Sequence, residues 1–111
     1  MLDGSSPLEV SVTRSPPTVR LAGDIDEQTY PDLIKALATV AAMEECRIRI
    51  DLADVEYCDL AGLRAMIVLA ERREDGRPGV EQLVLAHLPG GLRTVLRIVG
   101  WDTTLGLILE D

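Results

Sequence analysis

The sequence predicts an α/β (α+β) fold, a mixed sheet of about four to five strands with helices packed on one face. Two observations predict it. Apolar and polar residues alternate at a period of two near the N-terminus, and short apolar runs recur later, which indicates strands. Between those runs, apolar residues recur at helical spacing, and Gly or Pro stands at most junctions. The order is therefore β-β-α-β-α-β-α-β.

In the N-terminal half, two strands that flank a Pro-containing turn are predicted to form an antiparallel pair. A helix capped at Thr29 follows, with Pro31 tolerated in its first turn. A third, short strand leads into an acidic loop. In chain order, these elements are the strand Leu8–Thr13, the strand Thr18–Ala22, the helix Tyr30–Ala41, the strand Arg47–Leu52 and the loop Ala53–Asp59.

The C-terminal half is predicted to hold two helices and two strands. The second helix runs from about Leu60 to Asp75 and is followed by the strand Leu83–Ala86. Leucine and valine at helical spacing predict a third helix over Leu92–Val99, which Gly100 ends. The last apolar run, Leu105–Leu109, is predicted to be a strand.

The composition is that of one globular domain. The chain has 111 residues, of which 47% are hydrophobic and 27% charged, enough for a single core. We place this domain at residues 8–111 and expect residues 1–7 to be a flexible leader. Because there is no Phe and the aromatic residues are only Tyr30, Tyr57 and Trp101, the core must be aliphatic.

The charge balance limits the classes of partner. A formal net charge of −8 is a poor fit to a phosphate backbone, so we expect no direct nucleic-acid binding. No apolar run is long enough for a membrane span, and the N-terminus lacks the pattern of a signal peptide. We therefore expect a cytoplasmic protein without membrane insertion, in which Cys46 and Cys58 are reduced; a disulfide between them is the alternative.

The segment Asp51–Leu63 is the most unusual part of the sequence. Four acids, Asp51, Asp54, Glu56 and Asp59, lie within nine positions between a strand and a helix. One interpretation is a site for a hard metal ion, which needs several converging oxygens. We favour a solvated acidic loop in which Asp59 caps the second helix, because no second acidic segment completes a site. No metal is expected.

Catalytic patterns are absent from the sequence. The only histidine is His87, and neither cysteine has a neighbour that marks it as activated. Gly90 and Gly91 precede a helix, but their simpler interpretation is a turn. A phosphate-accepting receiver domain is excluded because the chain begins with two strands and its only lysine, Lys35, lies in the first helix. We therefore predict that the protein is not an enzyme and needs no cofactor.

Three segments resemble the signature segments of the STAS domain family. They are Leu21–Leu37, Ile50–Met66 and Leu92–Leu105, and the resemblance extends over nearly the whole chain. Stand-alone domains of this kind are most often anti-sigma-factor antagonists. The resemblance implies a protein-binding regulator that binds an anti-sigma factor, usually a serine-kinase type ATPase, and so releases a sigma factor for transcription.

In the STAS family, the second helix begins with an Asp, two hydroxyl residues, Gly and Leu, and a hydroxyl accepts phosphate from the kinase. This chain has Asp59-Leu60-Ala61-Gly62-Leu63, so Leu60 and Ala61 are degenerate phosphoacceptor positions. The resemblance implies an antagonist that phosphorylation at this site does not switch off, and a Gly62 that lets the partner's backbone come close. The partner-binding residues that it implies are Asp24, Asp26, Thr29, Asp59, Leu60, Ala61, Gly62 and Leu63. Tyr57 joins them because it lies next to this segment and Tyr often dominates interfaces; the alternative is that it covers the edge of the sheet.

Other interpretations stay open at this point. The chain could be a non-phosphorylated STAS subunit of a transporter-associated or stressosome-like complex. It could instead be a small-ligand sensor with an apolar pocket, although the shortage of aromatics argues against this. A homodimer through the apolar edge of the first strand also stays open. The acidic stretches Asp24–Glu27 and Asp51–Asp59 favour a partner with a basic surface.

Overall fold

The strands form one five-stranded sheet in chain order in the computed structural model, which describes residues 7–110. The first two strands are antiparallel, and every later neighbour is parallel. The predicted mixed sheet and order of elements are confirmed; the predicted leader lies outside the described residues except for Pro7. The strands are β1 Glu9–Arg14, β2 Pro17–Ile25, β3 Arg47–Cys58, β4 Gln82–Ala86 and β5 Leu107–Glu110.

Three helices connect the parallel strands. They are α1 Tyr30–Ala42, α2 Leu60–Gly76 and α3 Leu92–Val99. Helix α3 ends where Gly100 adopts a left-handed conformation with φ of 81°, as the sequence predicts. Among residues 7–110, none of the helices combines the length and the apolar character needed to cross a bilayer.

The predicted loop Ala53–Asp59 is wrong, because β3 continues to Cys58. The pairing with β2 shifts twice, between the pairs Arg20–Asp51 and Ala22–Asp54 and again before Asp24–Tyr57. At each shift β3 advances one residue more than β2, which is the pattern of a β-bulge. The two bulges destroy the alternation of buried and exposed residues, and this is why the sequence resembles a loop here.

The core is aliphatic, as predicted, and contains no fully buried aromatic side chain among the described residues. One cluster joins leucines of α1, α2 and α3 to the inward side chains of the strands. On β4 the cluster includes Leu83 and Leu85 but not the alternate residues Val84 and Ala86. The helices therefore cover one face of the sheet, and successive strand residues point to opposite faces.

The other face of the sheet carries the pair Arg20 and Asp51, level with the buried Ala86. Asp51 on β3 is buried and accepts hydrogen bonds from the Arg20 guanidinium at 3.1 Å and from the Ala53 N–H at 2.9 Å. Burial by itself raises the pKa of Asp51, but the Ala53 hydrogen bond and the Arg20 charge outweigh it and leave the pKa below its ordinary value. Asp51 is therefore a structural carboxylate that links β2 to β3.

Strand β1 lies at the edge of the sheet and pairs only with β2. Its valines, Val10 and Val12, are exposed. An exposed apolar edge strand can pair with another chain. The homodimer through this strand stays a prediction.

We predict that Asp51→Asn lowers the free energy of unfolding by about 1 kcal/mol at pH 7. Because the folded-state pKa is depressed, this contribution is complete above the unfolded pKa of about 3.9 and is lost as the pH falls through the folded-state pKa. Urea denaturation of both proteins at several pH values checks this. The difference in free energy of unfolding between the wild type and Asp51→Asn should disappear in acid. The control Asp54→Asn, at an exposed position of the same strand, should change the free energy of unfolding little at any pH.

Candidate functional site

The carboxyl ends of β2 and β3 lie side by side and bring two predicted site segments together. Asp24 is the register partner of Tyr57, and Ile25 is the partner of Cys58. The Asp59 N–H then donates to the Ile25 carbonyl at 3.0 Å, immediately before α2 begins. Carboxyl ends of parallel strands form one edge of a sheet, where α/β proteins commonly place their sites.

Asp59 begins α2 as its N-terminal cap. Its carboxylate accepts the Gly62 N–H at 2.8 Å, and its backbone is extended. This is the preferred geometry for a capping acid, and its charge lies at the positive end of the helix dipole. The predicted capping role of Asp59 is confirmed.

Gly62 faces the inside of the protein, so its predicted close approach to a partner's backbone is wrong for this structure. A Cβ at this position would lie 2.3 Å from Cγ2 of Ile25 and 3.2 Å from Oδ1 of Asp59. Only a residue without a side chain lets the first turn of α2 sit against the end of β2. The glycine of the signature is therefore a packing requirement.

Two of the predicted residues present large side chains to solvent. Tyr57 is 55% exposed and Leu60 is 53% exposed. Next to Leu60, Ala61 is also exposed. These three residues, which we call the α2 entry surface, lie on either side of Asp59 where β3 ends and α2 begins. Because they are exposed close to one another in the sequence, they are candidate contact residues.

The loop between β2 and α1 is held by its own side chains. The Thr29 hydroxyl donates to the Asp24 carbonyl at 2.7 Å and accepts the Asp26 N–H at 3.0 Å. One Asp26 carboxylate oxygen accepts the N–H groups of Gln28 and Thr29. Thr29 precedes α1 but its side chain makes no capping bond. The loop therefore presents Asp24 in a fixed position.

Two further members of the predicted partner-binding set are buried. Thr29 is nearly inaccessible because it closes the loop, and Leu63 is fully buried in the core. Neither side chain can touch a partner in this conformation. The prediction that these two residues contact a partner is therefore corrected. Thr29 stabilises the loop through its hydrogen bonds, and Leu63 packs the first turn of α2 into the core.

The site carries negative charge on one side. Asp24 near the end of β2 and Glu27 in the loop after it are exposed, and so are Asp54 and Glu56 on β3. The sequence predicted this acidic surface. The sequence did not predict that the bulges of β3 leave Glu56 and Tyr57 exposed next to each other. The signal that could have indicated this exposure is the spacing of the apolar residues Val55 and Cys58, which are three residues apart and both buried.

The groups with nucleophilic potential near the site are not activated. Burial, together with the neighbouring Asp59 carboxylate, raises the pKa of the Cys58 thiol to about 12. Cys46 is free and exposed, and Cys58 is free and buried. Within residues 7–110 no group of three acidic, cysteine or histidine side chains could hold a metal ion.

We predict that Gly62→Ala destabilises the protein by about 1–3 kcal/mol, since the new methyl group overlaps Ile25. The matched control is Gly76→Ala in the same helix, where a Cβ meets nothing within 4 Å. That substitution should leave stability unchanged or raise it slightly, through helix propensity. Thermal unfolding of both variants measures this, and equal melting temperatures would contradict the packing role of Gly62.

Comparison with known proteins agrees with the fold described above. The family model described as "Mlab, STAS domain" matches residues 8–110. The fold is similar to an anti-sigma factor antagonist from Mycobacterium paratuberculosis, at 23% identity and a TM-score of 0.66, over 91% of this chain and 83% of that one. It is also similar to the anti-sigma factor antagonist SpoIIAA in its unphosphorylated form, at 16% identity and a TM-score of 0.62, over 94% of this chain and 87% of that one. No curated protein matches the chain. Because the family model covers almost all of the sequence, the chain belongs to the STAS domain family.

Proposed function

We propose that this STAS domain, residues 8–111, is an anti-sigma-factor antagonist that binds an anti-sigma factor and so frees a sigma factor for transcription. The observation that carries the proposal is the α2 entry surface, an apolar first turn on a helix that Asp59 caps. Both similar structures are of proteins described as anti-sigma factor antagonists. A sigma factor acts in the cytoplasm, so the proposal places the protein there.

The proposed contact has an apolar centre and an acidic margin. Burying the exposed half of the Leu60 side chain would contribute about 1 kcal/mol, and Tyr57 is a residue type that often dominates interfaces. Asp24 at the end of β2 and Glu27 on the loop after it would steer a basic partner surface into place. Asp59 adds a charge at the helix start while it holds the turn.

The same residues make the proposed complex independent of phosphorylation at this site. Leu60 and Ala61 occupy the positions where the family has hydroxyl residues, and neither side chain can accept phosphate. A phosphate there would add about −1.5 to −2 charges beside Asp59 and oppose an acidic or apolar contact. We therefore propose that a serine-kinase type anti-sigma factor can bind this protein but cannot release it by modifying the α2 entry surface.

The proposed role is binding without catalysis. The Cys58 thiol is held protonated by burial. His87 is exposed immediately after β4, a strand whose pairing with β3 ends at Asp51 and Ala86 and does not reach Tyr57. A non-phosphorylated STAS subunit of a transporter-associated or stressosome-like complex would use the same surface, and the choice of partner separates that alternative from the proposal.

We predict that Leu60→Arg weakens binding to the anti-sigma factor by more than 1 kcal/mol, because it places a charge in the apolar centre of the contact. Isothermal titration calorimetry against the kinase-type anti-sigma factors of the source genome measures this. Leu105→Arg is the matched control, at a leucine that is 74% exposed outside the site, and should bind normally.

Two outcomes would contradict the proposal. One is that no anti-sigma factor binds the wild-type protein above background, in which case the alternative STAS subunit is favoured. The other is that Leu60→Arg, folded by circular dichroism, binds as tightly as the wild type. Equal loss of affinity in Leu60→Arg and Leu105→Arg would also argue against a localised site.

We predict that Ala61→Ser restores a phosphate acceptor, because Ala61 is exposed in the first turn of α2 and stands at a hydroxyl position of the family. Incubation of this variant with the bound anti-sigma kinase and labelled ATP should transfer label to the STAS protein. Ala65→Ser, one turn further along α2, is the control and should stay unlabelled. Absence of label in Ala61→Ser would show that the partner is not a kinase for this site.

A further inference from the structure

A groove of about 500 Å³ runs between α1 and α2, and the proposed function does not use it. Small apolar side chains line much of it, and Ile34 is exposed within it although it is large. The residues that line the groove include Ile34, Ala38, Ala61, Arg64, Ala65 and Arg72. Ala61 belongs both to this groove and to the α2 entry surface, so the two surfaces adjoin.

The groove is positively charged on a protein whose net charge is −8. Arg64 and Arg72 line it, and no carboxylate does so among the described residues. Both arginines are exposed, and neither makes an ion pair or hydrogen bond within residues 7–110. They lie eight residues apart on α2, which is about two helical turns or 12 Å along the axis.

We propose that this groove binds an acidic amphipathic helix of a partner protein. Alanines at Ala38, Ala61 and Ala65 allow the close approach of a helix, since helix axes pack about 8–10 Å apart. Carboxylates spaced two turns apart on that helix would pair with Arg64 and Arg72, and guanidinium groups bind carboxylates in a bidentate manner. The inference goes beyond the proposed function, because it concerns a second surface and holds whatever protein supplies the helix.

The charge pattern separates this occupant from the other candidates. A basic helix would face both arginines and would bind only through the net negative charge of the protein. A single fatty carboxylate could satisfy one arginine and leave the other, about 12 Å away, without a partner. A second copy of this chain would have to bring an acidic helix face to the groove, and this would appear as dimerisation.

The test uses two synthetic helical peptides of about 20 residues, each with leucines along one face and a fluorescent label. One carries glutamates beside the leucines and the other carries lysines in the same places. Fluorescence anisotropy should show that the glutamate peptide binds at least about tenfold more tightly, with an affinity that falls as salt rises. Equal binding, or tighter binding of the lysine peptide, would overturn the proposal, since net charge alone favours lysine.

Matched variants locate the binding. Arg64→Gln with Arg72→Gln should lower the affinity for the glutamate peptide about tenfold, whereas Lys35→Gln, at an exposed position of α1 outside the groove, should not. Ala38→Glu places a repelling carboxylate in the groove and should have a similar effect, and Thr39→Glu, at an exposed position of the same helix outside the groove, should have none. If the arginine variant does not fold, the comparison of Ala38→Glu with Thr39→Glu decides.

Three results would assign the groove differently and overturn the proposal. The first is a glutamate-peptide affinity that Ala38→Glu leaves unchanged. The second is saturable binding of dodecanoate with no binding of either peptide. The third is a dimer in sedimentation that Ala38→Glu dissociates, which would make a second copy the occupant.

Discussion

The fit of Gly62 against Ile25 is the contact on which the rest of the site depends. A side chain at residue 62 would lie 2.3 Å from Ile25, so the first turn of α2 reaches the end of β2 only because glycine stands there. The Asp59 N–H bond to the Ile25 carbonyl and the Asp59 cap on Gly62 then fix the turn. Because these contacts fix the first turn of α2 against the sheet, the side chains of Leu60 and Ala61 point to solvent.

The two bulges of β3 have a complementary effect. By adding residues to β3 relative to β2, they bring Tyr57 level with Asp24 and place both beside the start of α2. Thr29 and Asp26 hold the opposite loop through hydrogen bonds. Contacts within the chain therefore fix the backbone around the α2 entry surface, which would limit the conformational entropy that the proposed binding must overcome.

Much of this could be predicted from the sequence, and the failures have a common cause. Helical spacing located α2 and α3 closely, and the STAS resemblance singled out Asp59–Leu63. The predictions from the sequence were wrong where contacts between distant segments determine the local structure. Strand β3 continues through its acidic segment because β2 pairs with it, and Gly62 faces inward because Ile25 packs against it. No local pattern distinguishes the buried Thr29 and Leu63 from the exposed Leu60, since their burial depends on the loop and the core.

We propose that the α2 entry surface binds an anti-sigma factor in a manner that phosphorylation at this surface cannot reverse. The most direct measurement is the affinity of the wild-type protein for its kinase-type anti-sigma factor, titrated before and after prolonged incubation of the complex with ATP and Mg²⁺. Since the side chains of Leu60 and Ala61 have no hydroxyl group that could accept phosphate, we expect the same dissociation constant in both titrations. Dissociation of the complex by ATP, with phosphate found on the STAS protein, would contradict it.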